Sequence, residues 1–375
     1  MRAKSLFSLT IAMLALAACS ENEITEQNPA VNKAIGFNTY TSVQTRGTEV
    51  DLAAVKTSGI GVMAYQTSGA YATTGAKSEF MKNQKVTWNT GTNVWEYTPL
   101  KYWPAGTDEK VSFFAYAPYA STDGAHGITP ASPTSGNNPQ IGFALQANQK
   151  DMVDLVVSTP EDATNGTLSM TSGTVNFKFM HPLTRVAMEA KTNPDISTNT
   201  DTKVFVTGVS LTHTSKLNSK GSLDMKSLTW SSNTSDYLAS SYVLAAASSN
   251  GILNLTAANF AGYTTQSIDI SAGGANATSL FPANEYLFLL PVGNTTGTGA
   301  AGDVKVKIAY DIVNKTGATT HSKSSVEKEV NLPAGVLKKS AAYKFTFNIG
   351  LNAISFSVTP VDGWGTVSDQ SVTVQ

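Results

Sequence analysis

Apolar and polar side chains alternate along most of this 375-residue chain, which predicts β-strands rather than helices. The clearest case is residues 304–312, where valine, isoleucine and tyrosine occupy every second position between lysine, alanine and aspartate. Thr, Ser, Asn, Gly and Ala separate the apolar segments, as in all-β proteins. The predicted fold class is therefore all-β, with strands at 60–65, 111–117, 154–159, 175–181, 204–211, 221–230, 286–292, 304–312, 342–349 and 354–358.

Segments rich in Gly, Pro, Ser and Asn interrupt these strands. Residues 121–148 are predicted to form one long loop, and the polar residues 161–173 are predicted to link two domains. The chain after residue 46 is long enough for two domains with separate cores. The sequence thus predicts an N-terminal β-sandwich domain over residues 47–168 and a C-terminal one over residues 169–375.

The start of the chain has a different pattern. Arg2 and Lys4 precede an apolar run over residues 6–18, which ends with Leu-Ala-Ala before Cys19. A permanent membrane helix needs about 18–20 apolar residues, so this run is too short, and the small residues at its end suit a signal peptidase. We interpret residues 1–18 as a lipoprotein signal peptide and Cys19 as the acylated N-terminus.

Residues 19–46 are interpreted as an acidic tether followed by a removable strand, in the manner of a propeptide. Glutamates follow Cys19, as in the export signals of surface-displayed lipoproteins in some Gram-negative bacteria. The next segment alternates, so that Ile35, Phe37 and Val43 share one face.

An arginine at the end of this segment offers a protease site. Arg46 precedes Gly47 and is the only arginine between the signal peptide and Arg185. Arginine before glycine also occurs by chance in most chains of this length. The position between a predicted strand and the rest of the fold favours cleavage after Arg46.

Composition excludes several functions. Charged residues make up 14% of the chain and the net charge is −1, so there is no electrostatic signature of binding to nucleic acid or to an anionic membrane. Cys19 is the only cysteine, and acylation would leave no thiol for disulfides, zinc or redox chemistry. Attachment to a membrane would therefore depend on lipid, since two or three acyl chains such as palmitate anchor stably where one does not.

The sequence contains no recognisable catalytic, cofactor or metal motif. The histidines are scattered, without a carboxylate at metal-ligand spacing, and there is no nucleophile elbow, phosphate-binding loop or calcium loop. Asp151 and Asp154 are candidates for a glycosidase pair, but charges at the entrance of a strand explain them more simply. His181, at a strand end, is interpreted as structural. We predict a protein that is not an enzyme and binds no cofactor or metal.

Residues 88–119 contain the densest aromatic cluster, including Trp88, Trp95 and Trp103. Exposed rings of this kind would stack on sugars, as in a glycan-binding surface lipoprotein. Alternation along the strands directs most of the rings inward instead, so we favour an aromatic layer in a β-sandwich core.

Four features follow one another along the chain. They are the lipobox ending at Cys19, Ile35-Gly-Phe37 before Arg46-Gly47, the block from Tyr102-Trp103-Pro104 to residues 111–118, and Phe177-Lys-Phe-Met-His181-Pro-Leu. In this order they resemble the fimbrillin family of type V pili, and the resemblance spans nearly the whole chain. It implies two tandem transthyretin-like β-sandwich domains and a structural subunit of a cell-surface fimbria, made as a lipoprotein and carried to the outer membrane.

The resemblance also implies an assembly mechanism. Removal of the first strand by cleavage after Arg46 would open a groove, and donor-strand exchange with other pilus subunits would fill it, which supports adhesion. We expect the C-terminal tail to be the donor, with Val367, Val372 and Val374 inserted and Trp364 as a plug at its base.

Alternatives stay open within and outside the family. A pilus tip subunit would bind a host protein or glycan, and an anchor subunit would keep its lipid and escape cleavage. A glycan-binding surface lipoprotein is the alternative from a different functional class.

Overall fold

The computed structural model describes residues 33–41, 52–67, 71, 78–104, 109–121, 124–132, 138–158, 174–193, 196, 198–233, 235–244, 250–272, 276–350, 354–361, 364 and 372–374. Within these ranges the fold is almost entirely β, which confirms the predicted class. No helix in these ranges is long and apolar enough to cross a membrane.

The strands are numbered along the chain. One helix, α1, covers Leu52–Ser58, and two 3-10 turns cover Ala125–Gly127 and Gln149–Asp151. The strands are β1 Gly36–Thr41, β2 Ile60–Thr67, β3 Ser78–Asn89, β4 Val94–Glu96, β5 Lys110–Ala117, β6 Ile128–Ala131, β7 Gln140–Ala144, β8 Val156–Ser158, β9 Thr174–Met180, β10 Thr184–Thr192, β11 Thr202–His213, β12 Lys220–Asp224, β13 Thr229–Ser231, β14 Ser241–Val243, β15 Thr256–Ala257, β16 Gln266–Asp269, β17 Thr278–Ser279, β18 Leu287–Leu289, β19 Val304–Lys315, β20 His321–Asn331, β21 Ala341–Ile349, β22 Ile354–Val361 and β23 Val372–Val374.

The described strands form four sheets. The first has seven strands in the order β1-β9-β8-β5-β2-β3-β4. The second has the order β17-β10-β21-β22-β23 with β18 also on β10, and the third has the order β15-β16-β11-β19-β20 with β14 also on β11. The fourth, β13-β12-β7-β6, combines strands from both halves of the chain.

The described residues form four apolar clusters, and the three largest follow from the alternation along their strands. The N-terminal core includes Ile35, Phe37, Val55, Ile60, Val62, Trp103, Phe113, Val175 and Phe177. The C-terminal core includes Val186, Val204, Val206, Leu211, Val306, Ile308, Tyr343, Phe345 and Phe347. A bridging core joins the halves through Tyr65, Phe114, Phe143, Leu155, Leu183, Leu223, Phe288 and Trp364.

Two expectations about the middle of the chain need correction. Residues 121–148, predicted as one long loop, contain β6 and β7, and these two strands pair with each other. The prediction missed β6 because Pro130 lies within it and proline is unusual inside a strand. Strand β6 lies at the edge of its sheet, where a missing backbone N–H is tolerated. The predicted boundary between residues 168 and 169 precedes β9, yet β9 belongs to the first sheet between β8 and β1.

The two halves also share structure beyond β9. Strand β7 pairs with β12 from Gln140↔Asp224 to Ala144↔Lys220, across the predicted boundary. A polar segment in the sequence does not distinguish a loop between two paired strands from a linker between domains. The number of tandem domains stays a prediction.

Candidate functional site

Strand β1 and the three residues before it are paired with two separate backbone segments. On one side β1 runs parallel to β9, in register from Gly36↔Thr174 to Thr41↔Phe179. On the other side, the segment of residues 101–103 runs antiparallel to the residues that lead into β1. Ile35 N donates to Lys101 O at 2.9 Å, and Trp103 N donates to Lys33 O at 3.2 Å. Residues 33–35 are therefore paired with residues 101–103, and β1 itself is paired with β9. The space that residues 33–41 occupy beside these two segments is here called the groove.

The side chains of β1 alternate between the core and solvent. Phe37 is 4% exposed, and its ring stacks on Phe177 at 5.5 Å and meets the edge of Phe113 at 6.0 Å between centroids. Ile35 is equally well buried, whereas Asn38 faces solvent and donates to Asn176 on β9 at 3.3 Å. The predicted inward face is confirmed for Ile35 and Phe37.

Burial of Ile35 and Phe37 stabilises β1 and the residue before it in the groove. Fully burying one large aliphatic or aromatic side chain is worth about 1.5–3 kcal/mol. Without β1, the rings of Phe113 and Phe177 would face water and the outer edge of β9 would lose its hydrogen-bond partners. The base of the groove is thus lined by apolar side chains, and its edges carry backbone N–H and C=O groups. An extended strand can bury its side chains on such a base and hydrogen-bond to such edges.

Tyr97 fixes the start of β1 from the side of residues 101–103. Its hydroxyl donates to Ile35 O at 2.8 Å and accepts from Lys101 N at 3.3 Å. Burial raises the pKa of the Tyr97 phenol above its ordinary value, so the hydroxyl keeps its proton and remains a donor at neutral pH.

We expect Tyr97→Phe to lower the free energy of unfolding of the uncut protein by about 0.5–1.5 kcal/mol, because Ile35 O loses a buried donor. Urea unfolding followed by fluorescence measures the change. Tyr102→Phe is the matched control, since Tyr102 is 50% exposed in the same segment and its loss of a hydroxyl should have little effect. Equal effects of the two substitutions would rule out a clamp at Tyr97.

The profile of the fimbrillin-like family matches residues 45–364, well over half of the chain. The chain belongs to the fimbrillin-like family. Fimbrium subunit Fim1C of Phocaeicola vulgatus is 40% identical to it over 393 aligned positions, which cover all of both chains. The crystal structure of a fimbrial protein from Bacteroides vulgatus superposes with a TM-score of 0.76 at 35% identity, covering 89% of this chain and 100% of that one.

Family membership confirms the coarse functional predictions. The fimbrillin-like chain is a structural subunit of cell-surface fimbriae, which assemble from several subunits, and it is not an enzyme. Its role is related to adhesion. The groove around β1 is therefore the feature to examine for assembly.

Several predicted site residues lie outside the part of the chain that the structure describes. These are Cys19, Arg46, Gly47 and Val367. Val372 and Val374 lie in β23, which pairs antiparallel with β22 through Val358↔Val372 and Phe356↔Val374. In the isolated fimbrillin-like chain, this end of the tail is thus an edge strand on the second sheet.

The role of Trp364 as a plug at the base of the tail stays a prediction, and the structure describes its surroundings. Trp364 is 3% exposed and lies in the bridging core, where its ring stacks on His181 at 3.8 Å and on Phe288 at 5.9 Å. The guanidinium carbon of Arg185 lies 4.7 Å from the same ring. Trp364 therefore anchors the chain in the bridging core immediately before the tail.

The aromatic cluster forms core rather than a sugar-binding platform. Trp95 and Trp103 are buried in the N-terminal core, as the alternation predicted. Trp88 packs against Trp95 at 5.5 Å, and the Lys56 amine covers its ring at 3.8 Å.

Sequence reasoning missed one buried polar pair. His181 Nδ1 lies 2.8 Å from Asp154 Oδ2, although the two residues are 27 positions apart. The signal was present in the order of the elements, because Asp154 precedes β8, His181 follows β9, and these strands are antiparallel neighbours. The ring of Trp364 stacks on His181, and we interpret the Asp154–His181 pair as structural. The described residues contain no group of three His, Cys, Asp or Glu side chains suited to a metal.

Proposed function

We propose that this fimbrillin-like chain is a polymerising pilus subunit that is exported as a lipoprotein on Cys19, cut after Arg46 and assembled by donor-strand exchange. The observation that carries the proposal is the position of β1, whose apolar face is buried in the N-terminal core as the first strand of the fold. Its covalent connection to the body passes through residues 42–51, which contain Arg46 and Gly47. One cut there leaves the strand held by noncovalent contacts alone.

Cleavage after Arg46 changes the competition between β1 and a strand of another subunit for the groove. While β1 is attached, its effective concentration at the groove is high, of the order of millimolar for a short linker. After the cut it becomes a separate peptide, which carries the lipid on Cys19 and is no longer tethered to the groove. The open groove then exposes apolar rings and unpaired backbone groups, and a strand from another subunit covers both.

The C-terminal tail is suited to be that strand. Strand β23 has only three residues, so few hydrogen bonds are lost when it leaves β22. The tail carries Val372 and Val374 at alternate positions, with Val367 nearer its base. The family match begins at residue 45 and ends at Trp364, so the segments proposed to exchange flank the body common to the family.

Deletion of residues 367–375 is expected to abolish polymers while leaving a processed, folded monomer, because the deletion removes the donor and keeps the groove. Gel electrophoresis without boiling measures the polymer ladder, and N-terminal sequencing confirms processing. A truncation that removes only Gln375 is the matched control and should polymerise. Ladders of normal length from the longer deletion would show that the tail is not the donor.

A further inference from the structure

Arginine is almost absent from this chain. The sequence has 23 lysines but only three arginines, Arg2, Arg46 and Arg185, and after Gly47 there are 21 lysines against Arg185 alone. On a solvated surface either side chain supplies a positive charge, and exposed ion pairs of either kind contribute little to stability. Folding therefore does not require that the surface cations be lysine, and the shortage of arginine needs another explanation.

Arg185 occupies a position where lysine is a poor substitute. Its side chain belongs to a residue that is 4% exposed, and its guanidinium carbon lies 4.3 Å from the ring of Tyr286 and 4.7 Å from the ring of Trp364. A planar guanidinium stacks on aromatic rings and is weakly hydrated, whereas the ammonium of lysine is compact and strongly hydrated. The one arginine after Gly47 is thus buried against the bridging core.

The backbone at Arg185 is also closed to a protease. The residue lies in β10, where Arg185↔Phe288 pairs it with β18 and Arg185↔Ala342 pairs it with β21. A protease has to draw an extended segment of its substrate into its own cleft, and here neighbouring strands occupy both edges of that segment. Cleavage after Arg185 therefore requires β10 to leave its sheet, and its rate follows the population of the opened state.

We infer that Arg185 is a second cleavage site for the protease that cuts after Arg46, closed in the folded subunit and open in a subunit whose core has not formed. This inference rests on the proposed cleavage after Arg46 and on a protease that reads arginine and spares lysine. Hydrolysis of the Arg185–Val186 peptide bond consumes one water and leaves a carboxylate on residues 47–185 and an ammonium on residues 186–375. Neither fragment contains all of β10, so the same enzyme matures a folded subunit and destroys an unfolded one.

The inference also accounts for the lysines on the surface, because an exposed arginine would be a target in the folded subunit. Lys150 lies in the 3-10 turn at Gln149–Asp151 and Lys315 ends β19, and both are exposed. Lys150→Arg and Lys315→Arg keep the positive charge and change only the side chain that the protease reads. Each substitution should therefore create a cleavage site without unfolding the protein.

Timed digestion of purified residues 20–375, which contain Arg46 and Arg185 as their only arginines, tests the inference. The probe is clostripain, under conditions in which a lysine peptide stays intact, and intact mass with end sequencing identifies the products. Digestion is repeated across a urea series, in which tryptophan fluorescence reports unfolding and a short arginine peptide calibrates the protease. Lys150→Arg and Lys315→Arg are digested in buffer beside the wild-type protein.

We expect calibrated cleavage after Arg185 to be at least about a thousandfold slower in buffer than in the unfolded protein, and to rise in parallel with unfolding. Both lysine-to-arginine variants should be cut in buffer at the introduced arginine. Release of residues 186–375 from folded wild-type protein at the unfolded rate would overturn the inference, and so would survival of both variants. Protein that resists cleavage after Arg46 as well as after Arg185 in buffer would instead overturn the proposed processing and leave Arg185 a closed site.

Discussion

A subunit carrying Arg46→Ala is expected to stay uncut and to form no polymer. In that subunit β1 remains attached, with Ile35 and Phe37 buried in the N-terminal core and its backbone paired with β9. A tail from another molecule has to displace a strand that is present at an effective concentration of the order of millimolar. The loss should be complete on a polymer ladder, and the uncut monomer should unfold like the wild-type precursor.

The control for Arg46→Ala restores cutting by other means. Replacing residues 44–49 with the recognition sequence of an unrelated protease, and adding that protease to the purified protein, should return polymers to the wild-type level. This distinguishes release of β1 from any other role of the arginine. Wild-type polymer from the Arg46→Ala subunit would contradict the requirement for cleavage.

Phe37→Ala is expected to lower the free energy of unfolding of the uncut protein by about 3–5 kcal/mol, the usual cost of truncating a buried phenylalanine to alanine. The ring fills the space between Phe113, Phe177 and Tyr97, at centroid distances of 6.0, 5.5 and 5.3 Å. Its removal leaves a cavity next to the aromatic floor of the groove. Urea unfolding of residues 20–375, followed by tryptophan fluorescence, reports the change because Trp103 packs on Phe113.

Asn38→Ala is the matched control on the same strand. Its side chain faces solvent and makes one exposed hydrogen bond to Asn176, so we expect a cost within about 0.5 kcal/mol. A second control is the polymer itself, because processed subunits lack Phe37 and their stability should not depend on it. Similar losses for Phe37→Ala and Asn38→Ala would contradict the burial of one face of β1.

Alternation in the sequence predicted which side chains of β1 face inward, but not what they face. A period of two assigns residues to faces of a sheet, and it does not identify the neighbouring strand. That β1 runs parallel to β9, 138 positions later at the Asn38–Asn176 pair, depends on the topology of the whole sheet. The pairing of residues 101–103 with residues 33–35 likewise depends on contacts between distant parts of the chain.

The errors in the middle of the chain have physical causes. Pro130 and Gly142 break the pattern of β6 and β7, but both strands are stabilised by pairing with each other and, for β7, with β12. The buried pair of Asp154 and His181 required knowledge of the β8–β9 pairing. Local pattern therefore predicted elements well and their long-range contacts poorly.

The most direct test of strand exchange is the N-terminal residue of subunits recovered from fibres, measured by intact mass and end sequencing. The account predicts that high-mass, detergent-resistant ladders consist of subunits that begin at Gly47, with β1 absent. Subunits that begin at acylated Cys19 and occur only as monomers would contradict it. That result would leave an anchor subunit of the fimbria as the function of this chain.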